Sequence, residues 1–154
     1  MKERVFIVVL MALMSMPIMA RDAIKVVNGD LSVFNNPSIV ATVKFDYTDL
    51  QIEGKPYMEH LKSRGSDLVR ACPSESQTSE NYFVKCWNHD NEDGMQLTTA
   101  TGKEYTMVFV VTEMDMGSGA ASMLVGFGAG GAKMSGMMYI LKGNSDVPVL
   151  TVSI

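Results

Sequence analysis

The sequence predicts one α+β domain: a two-layer sandwich in which a mainly antiparallel four-stranded sheet carries two helices on one face, in the order β-α-α-β-β-β. Three observations point there. Residues 39–47 alternate apolar and polar side chains with a period of two. Residues 57–88 repeat their apolar side chains at helical spacing, broken by Pro73 and by serines. Residues 105–154 then hold three apolar runs of strand length, separated by glycine-rich or turn-forming segments.

The chain opens with MKERVFIVVLMALMSMPIMA. Lys2 and Arg4 make a basic start, residues 5–16 are apolar, Pro17 interrupts them, and Ile18 and Ala20 suit a signal-peptidase site. Residues 1–20 therefore read as a secretory signal peptide, too short in its apolar part for a spanning helix. The expected location is the periplasm or the outer membrane surface. No cysteine follows Ala20, so no lipid attachment is expected. Residues 21–37 read as a flexible leader with turns at Asn28-Gly29-Asp30 and Asn35-Asn36-Pro37, and residues 38–154 as the single domain.

Ile39, Ala41, Val43, Phe45 and Tyr47 fall on one face of the first strand. After a turn at Glu53-Gly54, Pro56 suits the start of a helix whose stripe holds Tyr57, Leu61, Leu68 and Cys72. Pro73 is expected to end that helix, because the residue before a proline avoids the helical region. A second helix, capped by Ser76 or Ser79, presents Phe83, Val84 and Trp87, and residues 89–94 close it as a polar loop. Cys72 and Cys86 then sit on two packed helices. They are candidates for a disulfide in an oxidising compartment, with two buried thiols as the alternative.

Residues 105–116 and 133–142 form an extended hairpin around a glycine-rich loop, 117–132. Residues 147–154 make a last strand whose apolar edge needs cover from a partner or from the leader. Self-association through this C-terminal edge strand is therefore expected as well.

The glycine-rich stretch is the main functional signal. Seven of the thirteen glycines lie in residues 116–141, and residues 116–132 carry no charge. Gly117, Gly119, Gly126, Gly128, Gly130 and Gly131 supply backbone conformations with positive φ. Together with Met123, Leu124, Val125 and Phe127 they form the candidate interaction loop, directed at an envelope protein or a membrane surface. Gly126-x-x-x-Gly130 also has the spacing for close packing.

Other chemistries fit less well. A net charge of −4 argues against nucleic acid, which needs concentrated Lys and Arg. Gly126, Gly128 and Gly131 match G-x-G-x-x-G, but a strand-like run follows where the dinucleotide motif needs a helix. A calcium loop with Gly94 at its sixth position would begin at His89 and end at Ala100, which fails at both ends. His60 and His89 lack the local company of a zinc or catalytic site. No G-x-S-x-G nucleophile elbow occurs.

Met114, Met116, Met134, Met137 and Met138 flank the loop and offer a weak alternative, a thioether copper site. Filling of irregular core gaps is the competing account of those methionines. No catalytic residue and no cofactor is expected. The expected function is that of a non-enzymatic exported envelope module acting through the glycine-rich loop and the exposed last strand. A methionine-based copper binder and an exported hydrolase without a local motif stand as alternatives.

The succession FVKCWNHDNEDGMQL, YTMVFVVTEMDMGSG, GFGAGGAKMSGMMYIL resembles small exported proteins of unknown function from Bacteroides and its relatives. That group is distantly similar to the periplasmic α/β modules of the curli-secretion lipoprotein and the TolB N-terminal domain. The resemblance covers residues 39–154 and is strongest over 113–119 and 126–133. It implies an exported α/β module and assigns no catalytic residue.

Overall fold

Eight strands in one mixed sheet replace the four-stranded antiparallel sheet expected from the sequence. The computed structural model describes residues 24–115 and 133–154. Its strands are β1 (Lys25–Gly29), β2 (Val40–Asp46), β3 (Gln51–Ile52), β4 (Lys55–Pro56), β5 (Gln96–Thr98), β6 (Tyr105–Asp115), β7 (Lys133–Lys142) and β8 (Leu150–Ser153). Helices α1 (Tyr57–Arg64) and α2 (Ser66–Asp90) stand between β4 and β5, and a short 3-10 helix (Leu31–Asn35) follows β1.

The main path runs β1-β8-β7-β6-β2-β5, with β3 beside β6 and β4 beside β3. From β1 to β6 every pairing is antiparallel, whereas β2 lies parallel to both β5 and β6. A parallel pair needs a long crossover. The chain supplies it between β2 and β6, and α1 and α2 lie within it. Three parts of the sheet were not legible in the sequence: β3, β4 and β5 span only two or three residues each, too few for a periodicity to appear.

The helices also divide differently from expectation. Pro73 does not end a helix: α2 runs without interruption through it, and the break falls at Gly65, with φ 127° and ψ 151°. A proline inside a helix removes one hydrogen bond. A residue outside the helical region stops the helix altogether, and at positive φ glycine does so without a Cβ penalty.

The division decides the cysteines. Cys72 and Cys86 lie on the same helix, not on two packed ones. Fourteen positions of helix set them about 21 Å apart along its axis, several times what a disulfide spans. Cys86 is accordingly a free thiol.

The core forms where the C-terminal half of α2 meets the sheet. Alternation along β2 and β6 turns Ala41, Val43, Met107 and Phe109 to that side, joined by Leu97, Met138, Ile140, Leu150 and Val152. Phe83 is buried against them, with Val84, Trp87 and the 3-10 helix residues Val33 and Phe34 packed around it. Phe45, Phe83 and Phe109 form a tight aromatic triangle with centroids 5.1 to 5.4 Å apart. The rings continue to Phe34 through Trp87 on one side and to Tyr47 and Tyr57 on the other.

The two ends of the sheet differ from expectation too. Residues 25–29, expected to be flexible, form β1 and pair antiparallel with β8. β8 is therefore an interior strand between β1 and β7, and its edge is not exposed. At the other end α2 closes β5. The Asn88 carboxamide accepts from the Leu97 amide at 2.7 Å and donates to the Leu97 carbonyl at 2.9 Å, copying a neighbouring strand. Trp87 Nε1 and Asn91 Nδ2 both donate to the Met95 carbonyl.

Candidate interaction site at the end of the β6–β7 hairpin

β6 and β7 outrun the rest of the sheet. Pairing of β2 with β6 stops at Asp46 opposite Val110, while the hairpin continues to Asp115 opposite Lys133. A tight turn redirects the chain after β2: the Asp46 carboxylate accepts from the Thr48 hydroxyl at 2.6 Å and from its amide at 2.9 Å. Those two bonds hold Asp46 below the usual carboxylate range.

The redirected chain returns as β3 on the same side of β6 that β2 has left, with Gln51 opposite Glu113 and Ile52 opposite Met114. β3 folds straight back into β4 through Glu53 and Gly54, whose φ values of 52° and 73° are both positive, as a two-residue hairpin turn requires. The Tyr57 amide then donates to the Leu50 carbonyl at 2.8 Å, tying the start of α1 to this corner.

A second, small core results. Leu50, Ile52, Val111 and Met114 are buried together, with Tyr47, Tyr57 and Met134 packed against them. A bulge at Thr112 resets the alternation, so that Val111 and Met114 share a face although three positions apart. The Thr112 hydroxyl donates to the Ser135 carbonyl at 3.2 Å across the bulge. Gly136 fits where no side chain could, since a Cβ there would run into the Val110 carbonyl.

The other side of the hairpin bears a different surface. Lys44, Val108, Tyr139 and Thr151 lie in one cross-strand row, and Asp46, Val110, Met137 and Ser153 in the next. Val108, Val110, Met137 and Tyr139 are half-buried and belong to neither core.

No family model, no curated protein and no solved structure matches the chain. The candidate loop residues Gly117, Gly119, Met123, Leu124, Val125, Gly126, Phe127, Gly128, Gly130 and Gly131 lie outside the described residues. What the structure fixes is their attachment: the segment leaves at Asp115 and returns at its cross-strand partner Lys133.

The five methionines are parted. Met114 and Met134 face each other and pack in the small core, Met138 enters the main core, and Met137 points to the opposite side of β7. Met116 lies outside the described residues. Met114 and Met134 both pack in the small core, where flexible side chains fill irregular gaps.

His60 and His89 belong to different helices, and His89 lies 3.8 Å from the exposed Glu92 carboxylate. Among the described residues no three His, Cys, Asp or Glu side chains gather as a metal site, and no helix is long and apolar enough to cross a membrane. On α2, a hydrogen bond to the Cys86 thiol raises the Tyr82 hydroxyl above its usual pKa.

Sequence reading missed Leu50 and Ile52 in the support of the hairpin, and gave Tyr47 and Tyr57 apolar faces without joining them to it. One signal was present. Glu53-Gly54 marks a turn, and a turn between the two-residue strands Gln51–Ile52 and Lys55–Pro56 is a hairpin too short to show alternation.

Proposed function

We propose that this chain is a non-enzymatic, exported cell-envelope protein that engages an envelope protein or a membrane surface through residues 116–132. The observation that carries this is the pairing of Asp115 with Lys133 at the end of the longest hairpin. Seventeen uncharged residues, six of them glycine and others as apolar as Leu124 and Phe127, are thereby held at both ends on one spot. A connection of that length is uncommon in a compact domain, and functional loops are one of the two classes in which it occurs, the other being linkers.

The small core supports the same reading. Leu50, Ile52, Val111 and Met114 brace the hairpin where β2 has already turned away. A hairpin alone is marginal in water, so a dedicated support at this end keeps the attachment points fixed. The basic, then apolar, start of residues 1–20 supports export. The former candidate surface on the last strand drops out, because β1 occupies it.

Replacing residues 118–131 by an Asn-Gly turn tests the proposal. The shortened chain should keep its near-ultraviolet circular dichroism and lose both vesicle co-sedimentation and cross-linking to envelope proteins. Undiminished capture by the shortened chain would overturn it.

A further inference from the structure

Six large apolar side chains stand exposed around one margin of the sheet: Ile24, Val26 and Val27 along β1, Leu31 just beyond it, and Val147 and Val149 leading into β8. Every residue of β1 is exposed, and β1 ends the strand order. Its outer backbone groups meet no strand among the described residues, whereas those of β5 at the opposite margin are closed by Asn88. A bare, apolar edge is a template for pairing with another strand.

We propose that β1 is a self-association strand, pairing antiparallel with β1 of a second copy about a two-fold axis. The choice of a second copy rests on the charges at the two ends of this strand. Lys25 opens β1, Asp30 follows its last residue with an extended backbone (φ −127°, ψ 131°), and the residues between them are uncharged. A reversed copy of such a strand presents the opposite charge at each end.

The bulge in β1 selects the register. Against β8, Lys25 and Asn28 face Ser153 and Thr151, while Val26 and Gly29 face Val152 and Leu150, with the pairing shifted at Val27. Opposed residues of an antiparallel pair share a face. Setting Val26 against Gly29 of the second copy satisfies that rule, and it brings Lys25 against Asp30 of the second copy. Two-fold symmetry forms the ion pair twice. Gly29 itself takes φ 90° and packs its backbone on the Val149 carbonyl, where a side chain would not fit.

Sedimentation equilibrium on the chain as purified, with its N-terminus established by mass spectrometry, provides the test. Lys25→Glu sets glutamate against Asp30, and Asp30→Lys sets lysine against Lys25, so each variant alone should dimerise about ten-fold more weakly than the parent. An equimolar mixture of the two should regain the parent affinity, because both cross-pairs are then of opposite sign. Asp30 also caps the 3-10 helix through the Ser32 amide, so Trp87 fluorescence must show each variant folded. In the parent, amide exchange along β1 should slow as concentration rises. A parent that stays monomeric at about 1 mM overturns the proposal. So does a mixture that associates no better than either variant, or protection that appears away from β1.

Discussion

The two margins of the sheet use the same backbone chemistry in opposite ways. At β5, Asn88 on α2 takes up the amide and carbonyl of Leu97 that a neighbouring strand would otherwise claim, while Trp87 and the capping Asn91 serve the carbonyl of Met95 just before it. At β1 no described side chain does this, and the strand adds exposed Ile24, Val26 and Val27 to its open edge. The difference teaches that closure of an edge depends on what the tertiary fold brings alongside it. Strand β5 is shorter than β1, yet it is the finished one.

The largest effect on this contrast should come from Trp87→Ala. It removes the ring that packs on Phe34 and Phe83 and the indole N–H that serves Met95. A loss of about 3–5 kcal/mol in denaturant unfolding is expected, with the β5 margin opening first in hydrogen exchange. Asn88→Ala should cost less, about 1–3 kcal/mol, because it leaves the Leu97 amide and carbonyl without their partner while the core stays filled. This variant should also gain a concentration-dependent association through β5, which would make the two margins alike. Sedimentation of Asn88→Ala beside the parent checks that directly.

A smaller effect is expected from pH at the β1 margin. Two hydrogen bonds from Ser32 hold Asp30 below the usual carboxylate range. Its folded pKa being the lower one, the stability it contributes is present above the unfolded value of about 3.9 and is lost as pH falls through the folded value. Acidification through that window should loosen the 3-10 helix and weaken association through β1 together. NMR titration of the Asp30 carboxyl and the Ser32 amide, set against dimer affinity over the same range, measures both. The β5 margin has only neutral side chains at its closure and should not respond.

Long, strongly patterned segments were legible without the structure. The period of two in residues 39–47 marks β2, and the β-branched and aromatic runs around the glycine-rich stretch mark β6 and β7 as a hairpin. The apolar set Phe83, Val84 and Trp87 is on the inner side of α2 as helical spacing requires. Errors concentrated where a local rule met a competing one. Pro73 signals a helix end by local sterics, but Gly65 breaks the chain eight residues earlier, and with the break goes the separation of Cys72 from Cys86 onto two helices. β3, β4 and β5 were invisible because two or three residues carry no measurable period.

By itself, then, the sequence determined the alternating faces of β2, β6 and β7, the apolar face of α2 and the uncharged run at 116–132, because each is a property of adjacent residues. Only the tertiary structure decided the parallel placement of β2 against β6, the support of the hairpin by Leu50, Ile52, Val111 and Met114, the burial of β8 behind β1 and the closure of β5 by Asn88. All but the last, which spans nine residues, join residues far apart in the chain. Which strand lies beside which is settled by how much apolar surface the whole arrangement buries and which backbone groups it leaves paired, and neither quantity exists until the chain has folded.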